Sequence, residues 1–481
     1  MALSRRQALS LGGAGLITAS VVPLDVWIRQ ARAEYTMTRY DAASPEGKAM
    51  LKIYADAVGQ MKARPPTDPL SWQFQFFTHW MPEDKAAAIE RIYGPDTTPE
   101  KLAAEAMWDT CRGHITWSGE GDWFVPWHRM YVLYLERIVR QVSGDDSFTL
   151  PYWNYTDPAK AAIPEEFRDP ASPLYVEDRN PGINVGTRVM TELNLDFMRS
   201  RNYLDTAIGG FNSMLDANPH GQVHVNVGTR TNMGNVPTAA KDPVFWIHHA
   251  QVDRCWASWN AAGGANPTDA SWTDKEFQFY DPVSNQLVST KTGTVSTTEG
   301  LGYVYQDLIP APQPLTAMVE NDKLMESLPL VLADVPLTAG APSEGPVKLG
   351  TGPVTARVAA PQMPLTAGSG DEAKRTYLVI SDLATEVQPG VTYDVYLGGQ
   401  QIAEARNEAW RVGQIHFFNA APSLEAEAKA NAIFTFDVTD QMAVLAAEQG
   451  GNPLPQVTFA PADAPAAEAE PLIGNIRFVL E

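Results

Sequence analysis

The larger N-terminal part of the chain, residues 35–334, carries apolar residues at helical spacing. Residues 46–63 form an amphipathic pattern, and residues 99–110 resemble a short capped helix. Residues 126–142 are apolar on nearly every side, which is typical of a buried helix, and another strong helix covers residues 243–260. Stretches rich in Pro, Asn and Asp separate these helices. The pattern therefore predicts a mainly α domain, a four-helix bundle with long loops.

The remainder of the chain changes to short β-type runs. Residues 335–350 are rich in Pro, Gly and Ala and are typical of a linker. Five runs of β-branched and aromatic residues follow, at 375–381, 391–397, 413–418, 432–438 and 476–480. Residues 461–471, rich in Ala, Glu and Pro, indicate a solvated loop. We expect a small antiparallel β-sandwich or barrel over residues 351–481.

The first residues have the order of an export signal. The paired arginines Arg5 and Arg6 precede a mild apolar run, and a small-residue Ala-Arg-Ala sequence follows at 31–33. This order favours a twin-arginine leader over residues 1–33. The alternative is a membrane anchor, which needs about 20 apolar residues, whereas this run is shorter and Gly-rich. We expect an exported protein, periplasmic or secreted, with no membrane segment after cleavage.

The composition limits which partners the protein can bind and which interactions can stabilise its fold. Thirty-six Lys and Arg against 57 Asp and Glu give a net charge of −21, which disfavours nucleic acid and anionic membranes. The chain of 481 residues is long enough for more than one domain. Its two cysteines, Cys111 and Cys255, are too few for a disulfide scaffold, so hydrophobic cores must supply the stability. The oligomeric state stays open.

Histidine supplies the candidate chemistry. Seven of the eight histidines fall in the predicted helical domain: His79, His114, His128, His220, His224, His248 and His249. His220 and His224 are four residues apart, a spacing that puts both on one helical face. Imidazole clusters without a Cys pair or a carboxylate triad fit neither a structural zinc site nor a 2-His-1-carboxylate iron site. A nitrogen-only paired site suits copper, and a pair of copper ions can bind O2.

Extended motifs surround these histidines. They are Trp127-His128-Arg129-Met-Tyr131, Leu150-Pro151-Tyr-Trp153-Asn154, Met233-Gly234-Asn235, Asp242-Pro243-x-Phe245-Trp-x-His248-His249-x-x-x-Asp253-Arg254 and Tyr303-Val-Tyr305. Near the C-terminus, Tyr393-Asp394-Val395-Tyr396 adds a further motif. Together they resemble the copper-binding signatures and the C-terminal β-domain of the tyrosinase and polyphenol oxidase family. The resemblance covers nearly the whole chain after the leader.

The resemblance implies two copper ions and their ligands. It assigns His79, His114 and His128 to the first copper, and His220, His224 and His249 to the second. The residue at the position of His248 is not a ligand in the family, and neighbours on a helix point about 100° apart, which agrees. The position of Phe245, one turn before His249, implies support of that ring or of a bound substrate.

Cys111, Asp253 and the C-terminal domain keep two interpretations each. Some family members carry a Cys–His thioether, so Cys111 is either bonded to His114 or a small buried thiol. His114 and His128 are fourteen residues apart, a wider gap than is usual in the family. Asp253 either orients a ligand imidazole or pairs with an arginine. The C-terminal domain either covers the copper site and keeps the enzyme latent or is permanently structural. His416 is interpreted as a sheet residue, with a loop aromatic of this domain that fills the active site as an alternative that the sequence does not assign to a residue.

The family oxidises o-diphenols to o-quinones with O2, and some members also hydroxylate monophenols. Hydroxylation requires a phenol with a pKa of about 10 to lose a proton, which a base or a base-held water assists. The family's usual Glu and Asn beside the second copper are Asp216 and Gly221 here, which weakens that activity, whereas the small Val236 leaves the entrance open. We expect diphenol oxidation with weaker monophenol hydroxylation. An o-aminophenol oxidase and an O2-binding protein of hemocyanin type are the alternatives.

Overall fold

The computed structural model describes residues 36–111, 115–116, 123–188, 190, 193, 195–205, 207–311, 338–339, 345–359, 375–418, 420, 429–430, 433–448 and 455–480. The predicted leader, His114 and half of the stretch expected as a linker lie outside these residues. Within them, no helix is long and apolar enough to cross a membrane.

The helices of the described part are α1 (Pro45–Lys62), α2 (Trp72–His79), α3 (Lys85–Tyr93), α4 (Pro99–Met107), α5 (Phe124–Ser143), α6 (Gly210–Leu215), α7 (Gln222–Val227), α8 (Val236–Ala239), α9 (Val244–Ala261), α10 (Ala270–Thr273), α11 (Gln400–Glu404) and α12 (Thr439–Glu448). The strands are β1 (Met37–Arg39), β2 (Ile115–Thr116), β3 (Glu276–Asp281), β4 (Gln286–Lys291), β5 (Tyr303–Tyr305), β6 (Thr338–Ala339), β7 (Val347–Lys348), β8 (Val354–Arg357), β9 (Thr376–Ala384), β10 (Tyr393–Leu397), β11 (Arg411–Ile415), β12 (Lys429–Ala430), β13 (Phe434–Asp437), β14 (Gln456–Pro461) and β15 (Leu472–Leu480). The mainly α domain followed by an antiparallel β part is confirmed.

Helix α5 is the centre of the helical domain. Fifteen of its twenty residues are buried, as its all-round apolar pattern predicts, and it contacts α1 and α9. It ends at Gly144, whose φ of 71° closes the last turn in the left-handed conformation that favours glycine. Because α9 is buried even more completely, at fifteen of its eighteen residues, the residues of α5 and α9 that face each other are shielded from water.

A buried ionic network ties α5 to α9. The Asp253 carboxylate of α9 accepts hydrogen bonds from Arg39, Arg129, Tyr303 and Tyr305, and the Nε–H of Arg39 also donates to Glu136 at 2.9 Å. Strands β1 and β5, which carry Arg39 and the two tyrosines, pair in parallel. Burial raises the pKa of Asp253, but the charges of Arg129 and Arg39 outweigh it and hold the pKa below its usual range. Of the two interpretations of Asp253, the structure therefore shows the arginine pair.

The β part is a two-sheet sandwich. One sheet has the order β11-β10-β14-β8, and the other has the order β13-β9-β15-β6 with β7 also paired to β15. Side chains of both sheets, such as Ile380, Val395, Phe459 and Phe478, share one core. The sequence patterns missed β8, β14 and the hairpin of β3 and β4, and β6 and β7 fall in the stretch expected as linker.

The helical domain and the β-sandwich contact each other directly. Strand β2 pairs with β12 in antiparallel fashion. The Thr435 hydroxyl donates to the Ile208 carbonyl at 2.7 Å, and the Arg477 guanidinium donates to the Ala207 carbonyl at 2.8 Å. The sandwich is thus joined to the helical domain by backbone pairing and by side-chain hydrogen bonds to backbone carbonyls.

We expect Asp253→Ala to lower the free energy of unfolding by about 3–5 kcal/mol, because it leaves Arg39 and Arg129 buried without their shared carboxylate. Denaturant unfolding of the copper-free protein measures this change. Asp274→Ala is the control, since its partner Lys291 is on the surface, and we expect it to have no measurable effect. Equal losses in the two variants would contradict the prediction.

Candidate metal centre

The first histidine cluster lies where α2 and α5 meet. His79 is the last residue of α2, and His128 lies in the first turns of α5; both are 1% exposed. Their ligand nitrogens and the Cys111 sulfur lie within 4.8 Å of one another, with Cys111 Sγ 3.8 Å from His128 Nε2. Because His114 lies outside the described residues, its role and its thioether with Cys111 stay predictions.

The second cluster contains His220, His224, His248 and His249, all fully buried, with their ligand atoms within 4.8 Å of one another. His220 lies on a π-helical turn, Asp216–Gly221, that precedes α7, and Asn218 within this turn has non-helical angles (φ −150°, ψ 123°). The rings of His220 and His224 are nevertheless 4.6 Å apart. The kink at Asn218 precedes His220, and the helical backbone that follows it brings the two histidines together at their spacing of four residues.

Backbone carbonyls orient three imidazoles, one in the first cluster and two in the second. The Nδ1–H of His128 donates to the Phe124 carbonyl at 2.8 Å. That of His220 donates to the Asp216 carbonyl at 3.1 Å, and that of His224 donates to the Met233 carbonyl at 2.9 Å. The Asp216 carboxylate also lies 2.9 Å from His220 Nδ1. This tautomer, which the hydrogen-bond partners indicate, puts the lone pair on Nε2, the form in which imidazole binds a metal.

The loop before α8 explains how Met233 reaches His224. A Cβ on Gly234 would lie 2.4 Å from the carbonyl oxygen of Gly228, so only glycine lets the two segments approach this closely. That approach places the Met233 carbonyl against the His224 ring. Val236 follows in α8 and is 6% exposed. The Met-Gly-Asn motif therefore orients a histidine through its backbone.

The two clusters form one continuous site. The rings of His128 and His249 are stacked, with centroids 4.1 Å apart and planes 10° apart. The Phe245 ring lies between the clusters, 4.2 Å from the His249 ring and 5.0 Å from the His79 ring. The site is therefore a pair of nitrogen clusters in direct contact through His128 and His249, with Phe245 packed against both clusters.

The adjacent His248 and His249 face different surroundings. His249 faces His128 of the first cluster, whereas the His248 ring stacks on His220 at 5.3 Å and lies 5.4 Å from the Tyr155 ring. Burial lowers the pKa of both histidines well below the usual value, so both are neutral. His248 belongs to the second cluster and packs against the other three histidines of that cluster and against Tyr155.

Two residues of the β-sandwich reach this site, and the sequence patterns did not identify them. The Phe418 ring stacks on the His224 ring at 4.1 Å and 14° and meets the His220 ring edge-on at 5.8 Å. The expectation that His416 is a sheet residue is wrong, because β11 ends at Ile415 and the His416 ring packs against Gly221. The sequence signal for these two residues was the apolar and aromatic run at 415–418. That run does not show which part of the chain its side chains contact.

The donor set fits a copper pair. All the histidines of the two clusters are buried, and hydrogen bonds through Nδ1 fix three of them in the metal-binding tautomer. Imidazole nitrogen is a ligand that copper favours, and carboxylate ligands of the kind that iron or magnesium sites use are absent from the two clusters among the described residues. The histidine clusters therefore define a dinuclear copper centre.

Comparison with known proteins identifies the family. The common central domain of tyrosinase matches residues 69–193 and 176–262, and the polyphenol oxidase middle domain matches residues 266–313. A tyrosinase of Hahella sp. (strain CCB-MM4) is 30% identical over 433 residues, which cover 81% of this chain and 88% of that protein. The chain belongs to the tyrosinase and polyphenol oxidase family.

Solved structures agree with this assignment. The structure of latent apple tyrosinase matches with a TM-score of 0.61 at 25% identity, covering 92% of this chain and 97% of that one. A functional unit from octopus hemocyanin matches with a TM-score of 0.51 at 14% identity, over 92% of this chain and 99% of that one. The second likeness shows the fold alone.

We expect His249→Phe to lower the copper content from two ions to about one per chain, because it removes the imidazole that faces the first cluster. His248→Phe is the matched control: neither nitrogen of His248 has a hydrogen-bond partner among the described residues, so the similar-sized ring breaks no such contact. We expect it to retain two ions. Metal analysis after dialysis measures both. The reverse result would exchange the roles of the two histidines.

Proposed function

We propose that the protein oxidises o-diphenols to o-quinones with O2 and hydroxylates monophenols more slowly. The observation that carries the proposal is the contact between the two histidine clusters through the stacked rings of His128 and His249. A copper pair supplies two-electron exchange between a diphenol and O2. The protein holds the imidazoles neutral and oriented, and it excludes water from the site.

The proposed ligands are His79, His114 and His128 for the first copper and His220, His224 and His249 for the second. Membership of the family supports this set, as do the Nδ1 hydrogen bonds of His128, His220 and His224. The position of His249 between the clusters favours it over His248.

The Phe418 ring indicates how a phenol would bind. It lies parallel to the His224 ring, with centroids 4.1 Å apart, in the face-to-face packing that aromatic rings favour when offset. We propose that a substrate ring takes this place once Phe418 leaves it. Phe245, packed against His249 at 4.2 Å, would keep that imidazole fixed while the substrate binds.

Two residues make the hydroxylase activity the weaker one. The Asp216 carboxylate lies 2.9 Å from His220 Nδ1, so it orients an imidazole and is poorly available to take a proton from a phenol. Gly221 has no side chain with which to hold a water. The small Val236, at the start of α8, still leaves room for a monophenol, so we expect hydroxylation to be slow rather than absent.

The arrangement of the β-sandwich supports a latent form. Phe418 fills the space over His224 and is itself only 1% exposed, so substrate and Phe418 cannot bind His224 together. The apple tyrosinase whose fold covers nearly all of this chain is described as latent. We propose that the β-sandwich shields the copper site until it is displaced.

Oxygen uptake and quinone absorbance with a substrate panel test the proposed reaction. After removal of the β-sandwich, we expect rapid turnover of catechol, and slow turnover of tyramine with a lag that a trace of catechol abolishes. Oxygen binding without turnover of catechol would instead indicate an O2 carrier of the hemocyanin type. Faster turnover of o-aminophenol than of catechol would indicate an o-aminophenol oxidase. The variant His249→Phe is the inactive control.

Cleavage of the intact chain tests the shield. A protease site inserted near residue 330, followed by removal of the released β-sandwich, should raise kcat/KM for catechol per copper by at least about tenfold, since only the open fraction of intact chains binds substrate. The same chain with a mutated protease site controls for effects of the protease. Unchanged activity per copper after cleavage would show that the sandwich is a permanent structural domain and not a shield.

A further inference from the structure

The chain that leaves β11 alternates between two cores. Ile415 and Phe417 are buried in the core of the β-sandwich, whereas Phe418 belongs to the core of the helical domain. His416 is 1% exposed, and its Nε2 reaches the Ala217 carbonyl of the turn Asp216–Gly221. His416 and Phe418 are therefore the side chains that this segment gives to the copper site.

Both nitrogens of His416 have partners that agree on one tautomer. Nε2–H donates to Ala217 O at 2.6 Å, and Nδ1 accepts from the Phe418 backbone N–H at 3.3 Å. Burial lowers the pKa of His416 to about 4, so the ring is neutral at neutral pH and Nδ1 can accept. One imidazole thus connects the turn that carries His220 to the backbone of Phe418.

Gly221 provides the space for this imidazole. A Cβ on Gly221 would lie 2.2 Å from Cε1 and 2.6 Å from Nε2 of His416, distances that real Cβ atoms do not show. The backbone of Gly221 (φ −63°, ψ −30°) is ordinary right-handed helix, which every residue type adopts. The glycine is therefore required for space and not for conformation.

A chain of side-chain hydrogen bonds joins the same turn to the β-sandwich. Gln222 Nε2–H donates to Gln414 Oε1 at 2.9 Å, and Gln414 Nε2–H donates to Asp394 Oδ1 at 2.7 Å. Arg411 also donates to that carboxylate, at 2.6 Å and 3.0 Å. On the other side, Asn218 donates to Gln222 at 2.6 Å. The sandwich thus contacts this turn at Ala217, Gly221 and Gln222.

We propose that His416 is the positioning residue of the shield: seated on Gly221 and bonded to Ala217, it fixes Phe418 against His224. The inference rests on the proposed latency and adds the residue pair that controls it. The proposal also gives the residue at position 221 a second effect, on the docking of the β-sandwich. A side chain there, which the resemblance connects with monophenol hydroxylation, is incompatible with the seated His416.

The test compares variants of the intact chain by a release ratio, defined as kcat/KM for catechol after cleavage near residue 330 divided by kcat/KM before cleavage. Each variant is its own reference, so a direct effect of a substitution on the copper site cancels. We expect His416→Ala to lower the ratio by at least about tenfold relative to the unchanged chain, because it removes the hydrogen bond to Ala217 and also the buried ring that holds the Phe418 backbone in place. Gly221→Ala should lower it similarly through the steric clash.

The double variant and a control distinguish a specific role of His416 in positioning Phe418 from a general weakening of the interface between the two domains. With His416→Ala present, the added methyl of Gly221→Ala has room, so the double variant should show the ratio of His416→Ala alone. Thr435→Val removes another buried hydrogen bond of the same interface, to Ile208, but leaves Phe418 and its neighbours in place, so it should lower the ratio by no more than about fivefold. Similar ratios in Thr435→Val and His416→Ala, or independent effects of the two single changes, would overturn the proposal.

The two proposals fail in different ways. If the unchanged chain has a ratio of one, the shield does not exist, and the role of His416 falls with it. If the unchanged chain has a high ratio that His416→Ala retains, the shield stands and only the role of His416 is overturned.

Discussion

The ion pair between Arg129 and Asp253 is the interaction on which the copper site most depends. Arg129 follows His128 directly on α5, and Asp253 lies one turn after His249 on α9. The pair therefore fixes the register of the two helices at the level where their histidines stack. Arg39 and the hydroxyls of Tyr303 and Tyr305 complete the partners of the carboxylate, which makes its burial tolerable. A buried ion pair contributes little net stability compared with apolar packing, but it tolerates few alternative arrangements of the helices.

The parts of the structure that follow from local patterns could be predicted from the sequence. The apolar residues all round 126–142 identified the buried helix α5, and the spacing of His220 and His224 identified a metal face. Strand β14 was missed because its few alternating residues run directly into the Pro-rich stretch at 461–471, which reads as loop. Local patterns could also not reveal the kink at Asn218, because backbone angles that interrupt a helix leave no periodic signal.

The contacts of His416 and Phe418 could not be predicted for a different reason. Phe418 stacks on a residue 194 positions earlier in the chain, and His416 bonds to a carbonyl 199 positions earlier. Apolar alternation shows that neighbouring residues face opposite ways, but not what they meet. Gly221 illustrates the same limit. From the sequence it is the loss of a useful amide, whereas in the structure its missing side chain is the space that a residue of the other domain occupies.

The β-sandwich does more than cover an opening, because it binds the turn that carries His220 and stacks on His224. Docking and substrate binding then compete for the same ring, and the fraction of chains with an open site sets the apparent activity. A docking preference of about 2.7 kcal/mol leaves roughly 1% of chains open and reduces kcat/KM about a hundredfold. Since one buried hydrogen bond contributes about 1 kcal/mol, a preference of that size needs only a few contacts. The bonds from His416 to Ala217 and from Gln222 to Gln414 are of that number, so the shield can be both effective and reversible.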